Sequence, residues 1–347
     1  MVHCCRFLYL GERLRLIPGI RLNHDIKKAD FNRTVTGGLQ TDDPVLLARQ
    51  RSVLRPQRYK VDSDDSNFSG QFTAAYAVSE QANLYTTYAR SFKSLGVNLS
   101  GIPNDADGNP ALEAATIRPE RVNHFEVGLK SSLLDGRISA NLNLFDTIID
   151  NFQVNVVNAN VGILRGFLAN AKEVEVKGIE AEVTAAIGDN LSVYANATFS
   201  DGDYNNFQDA PCPIELTGSP GGGVCDISGT SLPGVSSRAV SFGADYSVPV
   251  NFLGVPGDAY FGIDGSYRSA FSSSATSSEF LVVEGYTLVN ARAGFRAGNN
   301  WEIFGWARNV FKKNYFDFQR AQPGNSGMLV GQLGDPRTAG VTLKLNF

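Results

Sequence analysis

With 347 residues, a net charge of −4 and no long basic run, the chain is larger than a typical single domain and poorly suited to nucleic acid. Hydrophobic residues make up 43% of it, yet no stretch approaches the roughly 18 consecutive apolar residues of a membrane helix. Methionine is scarce (2) while Gly (35), Phe (22) and Tyr (12) are plentiful, a balance that favours strands and turns.

The opening "MVHCCRFLYLGERLRL" has a short apolar patch without a small-residue cleavage site, so it does not read as a signal peptide. Residues 1–11 are set apart as an atypical start, and 12–347 are assigned to one all-β domain. From there, period-two alternation recurs along the chain. "RISANLNLFDT" sets Ile138, Ala140, Leu142 and Leu144 against Ser139, Asn141 and Asn143. "GIEAEVTAAI" sets Ile179, Ala181, Val183, Ala185 and Ile187 against Glu180, Glu182 and Thr184. "LSVYANATF", "VSFGADYSV", "YFGIDGSYR" and "LVNARAGFR" repeat the scheme, with Asp245, Asp264, Arg268, Asn290, Arg292 and Arg296 on polar faces. "WEIFGWARNVF" is apolar on both faces, and its inner side is not assignable from pattern. The chain closes on "TAGVTLKLNF", with Ala339, Val341, Leu343, Leu345 and Phe347 on one face and Thr338, Gly340, Thr342, Lys344 and Asn346 on the other.

The pattern predicts twelve strands, near 12–25, 66–78, 82–93, 119–133, 137–153, 172–187, 190–202, 237–249, 257–271, 283–296, 300–312 and 338–347. They exceed the usual ~5–6 residues of globular strands and suit a tilted membrane crossing of ~9–11 residues with some excess. Their connections alternate in length. "VSEQ", "LLDG", "IGDN", "NFLGVPG" and "RAGNN" are short, whereas 26–65, 94–118, 154–171, 203–236, 272–282 and 313–337 are long. A transmembrane barrel has short periplasmic turns and long outer loops, so the expected fold is an antiparallel transmembrane β-barrel, apolar to lipid and polar to its lumen. Tyr76, Tyr85, Tyr88, Phe125, Phe199, Tyr267, Tyr286 and Phe295 lie near strand ends as candidates for an interfacial girdle, the alternative being packing between strands.

Cys212 and Cys225 flank the Gly-rich "PIELTGSPGGGV", which falls in a long outer loop. A disulfide is expected there in an oxidising compartment, with two free thiols as the alternative. No zinc site is expected, because His3, His24 and His124 are remote from both loop cysteines. No cofactor is implied. The sequence has no phosphate loop, no Gly-x-Ser-x-Gly elbow and no nucleophile beside a histidine, so no enzyme is expected. Asp105, Asp107 and Asn109 hint at a calcium loop but lack the glutamate in register, which makes a turn the expectation. Glu180 and Glu182 are expected on a solvated lumen wall rather than in acid–base work.

"NVFKKNYFDF" followed by "GDPRTAGVTLKLNF" resembles the last two strands of the TonB-dependent outer-membrane receptors. "EVKGIEAEVTAAIGDNLSVYANATFSDGDY" resembles their mid-barrel hairpin, and "ANLYTTYARSFKS" and "PERVNHFEVGLKSSLLDGRISANLNLFDT" match other barrel segments. The resemblance covers 66–347 and extends to the strand at 12–25. It implies a twenty-two-stranded barrel of which about half is here, and a plug domain and TonB-binding segment that are not. A self-contained twelve-stranded barrel is the alternative. The resemblance further implies outer-membrane lipid as a partner, TonB as one only through the plug, and a scarce solute such as a ferric siderophore as substrate. It makes the terminal face of Val341, Leu343, Leu345 and Phe347 an assembly signal for the barrel-insertion machinery. Arg268, Arg292 and Arg296 are candidates for binding an anionic ligand such as a ferric chelate; the alternative is a lumen charge network with Asp245 and Asp264. Energised uptake is the leading expectation. A passive porin-like barrel and a secreted all-β binding protein stand as the others.

Overall fold

The computed structural model describes residues 2–5, 8–53, 56–105, 107–157, 166–216, 224–298, 300–321 and 328–346. Twelve long strands succeed one another: β1 (Leu14–Arg33), β2 (Gln57–Ser79), β3 (Ala82–Lys93), β4 (Glu120–Leu133), β5 (Ile138–Val157) and β6 (Gly166–Ile187), then β7 (Leu191–Asn206), β8 (Arg238–Phe252), β9 (Val255–Arg268), β10 (Tyr286–Ala297), β11 (Trp301–Arg308) and β12 (Thr338–Leu345). Each pairs antiparallel with the next, and Val2–Cys5 and Leu8–Leu10 pair along the other edge of β1, so part of the segment set apart at the start joins the sheet. Among the described residues no ladder links β12 to β1, and the sheet is an open arc. All twelve expected strands are present. Phe347 lies outside the described residues.

The largest departure is the segment 26–65, expected to be a loop. β1 continues to Arg33 and β2 begins at Gln57, and the ladder runs from Leu14 opposite Tyr76 up to Arg33 opposite Gln57. Between them stands the helix Pro44–Val53, capped by the Asp43 carboxylate, which accepts from the N–H of Val45 at 2.8 Å. This upper hairpin escaped the pattern because neither face meets lipid. Cross-strand ion pairs replace apolar alternation there, with Lys28 on Asp62 at 2.8 Å and Lys60 on Asp30 at 3.3 Å.

Lower down, one face is a continuous apolar band. Ladder neighbours Tyr76–Leu84–Leu129–Leu142 and Tyr88–Phe125 belong to it, as do Leu144–Ile179–Phe199 and Ile263, Ile303 and Leu343 further round the arc. These side chains are exposed in a water-soluble sense; in a bilayer they contact hydrocarbon, which contributes roughly 25 cal/mol for each Å² kept from water. Of the girdle candidates, Tyr76, Tyr88, Phe125 and Phe199 lie on this face. Phe295 packs between Phe252 and Trp301 at ring distances of 5.4 and 5.5 Å. Tyr85 turns inward onto Glu126, and Tyr286 packs on Tyr315 at 4.4 Å, so neither belongs to a girdle.

The inner face is polar except where aromatic rings lie over glycines of the neighbouring strand. A Cβ at Gly128 would come 2.5 Å from the Tyr85 ring, and the rings of Tyr194 and Trp306 cover Gly243 and Gly340 in the same way. This resolves "WEIFGWARNVF". Ile303 points to lipid, whereas Phe304 and Trp306 point inward, Trp306 with its ring over Gly340, and Trp306 Nε1 donates to Thr342 Oγ1 at 3.1 Å. Both faces of β11 are apolar because its lumen side shields bare backbone.

Candidate functional site

The buried core of the chain lies above the lipid band rather than within it. Val154 and Val156 of β5, Ala171 and Val174 of β6 and Tyr204 of β7 pack against Phe207, Ala210, Ile227 and Leu232 of the loop after β7. Val174 and Tyr204 are opposite each other across the ladder, on the lumen side, so this loop folds inward over the mouth of the wall. Burial without a charged partner pushes the Tyr204 phenol up, and its hydroxyl donates to Ala275 O at 3.2 Å in the next outer loop. The 94–119 loop covers the upper hairpin similarly, seating Ile102 and Ala115 against Tyr59 and Val61.

Buried amides and carboxylates tie these loops down. Gln57 exchanges two hydrogen bonds with the backbone of Ile102, at 2.8 and 3.0 Å. Asn98 donates to Ala114 O and Leu168 O and accepts from Leu168 N. Gln153 donates from its side chain to Ser94 O and Arg118 O, while its N–H donates to Glu120 Oε1 at 2.8 Å. Each satisfies backbone groups that would otherwise cost about 1–3 kcal/mol when buried unpaired. Cys212 and Cys225 are joined by a disulfide of 1.99 Å, which closes the loop after β7. From within that loop, Glu215 reaches Ser278 and Glu279 of the loop after β9. The loop before β12 joins through Ser273, whose hydroxyl donates to Gln319 O at 2.7 Å. The outer loops therefore form one interlocked crown.

The three candidate arginines are spread down the lumen wall, not gathered. Arg268 sits at the rim, where it donates to Ser236 Oγ at 2.6 Å and to Gly234 O and lies 3.6 Å over the Phe271 ring. Arg292 binds Asp245 at 2.6 Å halfway down, and Arg296 binds Glu302 at 3.1 Å near the short-turn end. Each is engaged by the wall or the crown. Asp264 accepts from Asn290 rather than from an arginine. Asp105 accepts from the N–H groups of Asp107 and Asn109, which makes that stretch a side-chain-closed turn. Among the described residues no three metal-type side chains cluster. Glu180 and Glu182 accept from Asn143 and Asn141 on the lumen wall.

The model of the TonB dependent receptor-like β-barrel matches residues 8–310. The chain belongs to this family. It is 24% identical over 319 residues to the ferric-pyoverdine M114 receptor PbuA of Pseudomonas sp. (strain M114), covering 89% of this chain and 35% of that protein. It is 25% identical over 274 residues to the catecholate siderophore receptor Fiu of Escherichia coli (strain K12), covering 79% of this chain and 32% of the relative. In fold it is similar to the ferric yersiniabactin uptake receptor FyuA from Yersinia pestis, with a TM-score of 0.73 at 15% identity over 98% of this chain and 44% of that one. This chain thus spans about a third of the relatives it matches in sequence. It is a β-barrel chain of the Gram-negative outer membrane, from a family of receptors and transporters.

Within this receptor barrel, the crown-anchoring residues that sequence pattern misses are Gln57, Asn98, Gln153 and Glu215. Gln57 and Gln153 stand at the upper ends of strands and Asn98 and Glu215 in loops, and the contacts that tie them down reach 33 to 70 residues away in sequence. No local signal marks them.

Proposed function

We propose that this chain forms the wall and outer crown of a receptor that captures a ferric siderophore and imports it with energy delivered by TonB. The observation that carries the reading is the crown: long outer loops folded inward over the mouth, interlocked by Glu215, Arg268 and the Cys212–Cys225 bridge. A passive pore has no need of a rigid roof over its own opening. The ferric-siderophore receptors among the relatives supply the substrate class. A plug domain and the remaining strands, which complete the barrel in such receptors, are part of this proposal, because open strand edges in lipid cost several kcal/mol per unsatisfied group. Arg268 then serves as the rim residue that holds the crown in its capturing shape, while Arg292 and Arg296 stabilise the wall.

The test is uptake of radiolabelled ferric catecholate and ferric pyoverdine by iron-starved cells expressing the complete receptor, with and without a protonophore. Uptake that a protonophore abolishes supports the reading. Uptake indifferent to it, with steady single-channel conductance in planar bilayers, would show a passive pore instead.

A further inference from the structure

The lipid-facing wall of β1–β3 is not flush. Gly70 of β2 has no side chain, and a Cβ there would meet Gly19 O at 2.7 Å, so the two strands approach closely at this point. Ile20, Phe68, Phe72 and Tyr88 stand around it and enclose a groove of about 540 Å³, with Arg90 on its flank, level with Gly70. The register puts all of them on the face of Tyr76 and Leu84, the face that meets hydrocarbon. Tyr76 lies next to a short turn, and Gly70 is six residues farther up β2, so the groove opens within the outer half of a crossing of ~9–11 residues.

Arg90 is the cation that lines the groove; like outward-facing Arg121 above it, it forms no ion pair among the described residues. Among the described residues it has no ion pair or hydrogen bond, although it is exposed on a lipid-facing row. Its ladder neighbour is Asn123, whose carboxamide oxygen already accepts from Tyr88 at 3.0 Å. The carboxylate of the row below, Asp146, is two strands from Tyr88 across Phe125. By contrast, outward-facing Lys28, Lys60 and Lys177 each have a carboxylate within 3.3 Å. A guanidinium beside hydrocarbon requires an anion, its long stem lets the head reach up toward the headgroups, and its planar fork matches phosphate oxygens.

We propose that this groove seats an acyl chain of a phosphorylated lipid of the outer leaflet, with the lipid phosphate bound by Arg90. The cleft takes the hydrocarbon and the arginine takes the charge, so neither part alone accounts for the pair. The site is independent of substrate capture in the mouth.

Native mass spectrometry of the receptor extracted from outer membranes in maltoside tests it. The wild type is expected to retain a phosphorylated lipid. R90Q should retain about tenfold less, as for the loss of one charge-assisted pair. Arg121→Gln, which faces outward beside Phe92, should match the wild type. Ile20→Trp, which fills the groove and leaves Arg90 in place, should also lose the lipid. Adding a neutral diacyl lipid or inorganic phosphate should fail to replace it. Unchanged retention in R90Q or I20W, equal loss in R121Q, equal binding of the neutral lipid, or no lipid on any variant would overturn the proposal. Heat-modifiable migration on gels verifies that each variant is folded.

Discussion

Glu215 grips Ser278 across the crown, accepting from the Ser278 hydroxyl at 2.8 Å and from the N–H of Glu279 at 2.8 Å. Burial pushes this carboxyl up, but hydrogen bonds from its own N–H, the Glu279 N–H and the Ser278 hydroxyl outweigh burial and hold it below the ordinary value of 4.5. A depressed carboxylate stabilises the folded state above its unfolded value, and that contribution is lost as pH falls through the folded one. Exchange protection of the 269–285 loop, corrected for intrinsic rates, should therefore be constant from neutral pH to about 5 and fall below that. Glu215→Gln should remove the acid step and lower local protection by about 1 kcal/mol at neutral pH. An identical acid step in the variant would place the titration on another group.

The disulfide acts on the same loop from its other side. Cys212 and Cys225 are 13 residues apart, and closing a loop of that size removes roughly 3 kcal/mol of entropy from its open forms. Replacing both with serine should leave heat-modifiable migration unchanged, because the β6–β7 and β7–β8 ladders do not depend on the bridge. Exchange of the backbone at 203–216 and 224–236 should rise by about tenfold or more. Loss of the folded band would mean that the bridge stabilises the wall itself.

The strands in lipid were legible because the bilayer imposes one rule on every residue, apolar out and polar in, over ten or more positions. Leu142, Ile179, Val183 and Leu343 obey it without local exceptions. Above the lipid that rule lapses, and the hairpin of Lys28, Asp30, Lys60 and Asp62 looked like a loop. On β11 the rule was masked by the inward-facing aromatics Phe304 and Trp306, the latter covering Gly340. The crown was illegible for another reason. Gln57 and Ile102, or Asn98 and Leu168, meet only because intervening strands return the chain to the same rim. Spacing along the sequence carries no trace of that return. The arginines show the limit from the opposite direction: alternation put Arg268, Arg292 and Arg296 on the lumen face but could not give their height along it.

The ring of Tyr85 lies over Gly128, and its hydroxyl donates to Glu126, so the glycine holds open the space that the tyrosine needs. Gly128→Val should force the ring off the wall, break that bond and destabilise the fold by about 2 kcal/mol, the usual cost of overpacking. Urea refolding into detergent micelles reads the shift in midpoint. Combining it with Tyr85→Ala should recover most of the loss, since the clash is then gone. An additive double variant would show that the valine acts through the backbone and not through the ring.

Leu343 of the last strand and Ser192 of β7 stand in the two environments of the wall. Leu343 is 59% exposed on the lipid face opposite Ile303, whereas Ser192 stands opposite Asp245 on the lumen side. An arginine facing lipid costs about 2–4 kcal/mol near the bilayer midplane, whereas one in the lumen remains hydrated. Leu343 faces Ile303, two residues from the short-turn end, where that cost is at its lower part, so Leu343→Arg should lower the folded, heat-modifiable fraction recovered from outer membranes by a measurable, moderate amount. Ser192→Arg should leave it near wild type, because Asp245 offers the new charge a partner. Leu343 also belongs to the terminal face expected to signal assembly, so a slow insertion step would reduce yield in the same direction. Refolding the purified variant into lipid vesicles distinguishes the two causes. A midpoint lowered in vesicles identifies lipid exposure as the cause, and a normal midpoint with poor cellular yield assigns the defect to recognition of the terminal strand.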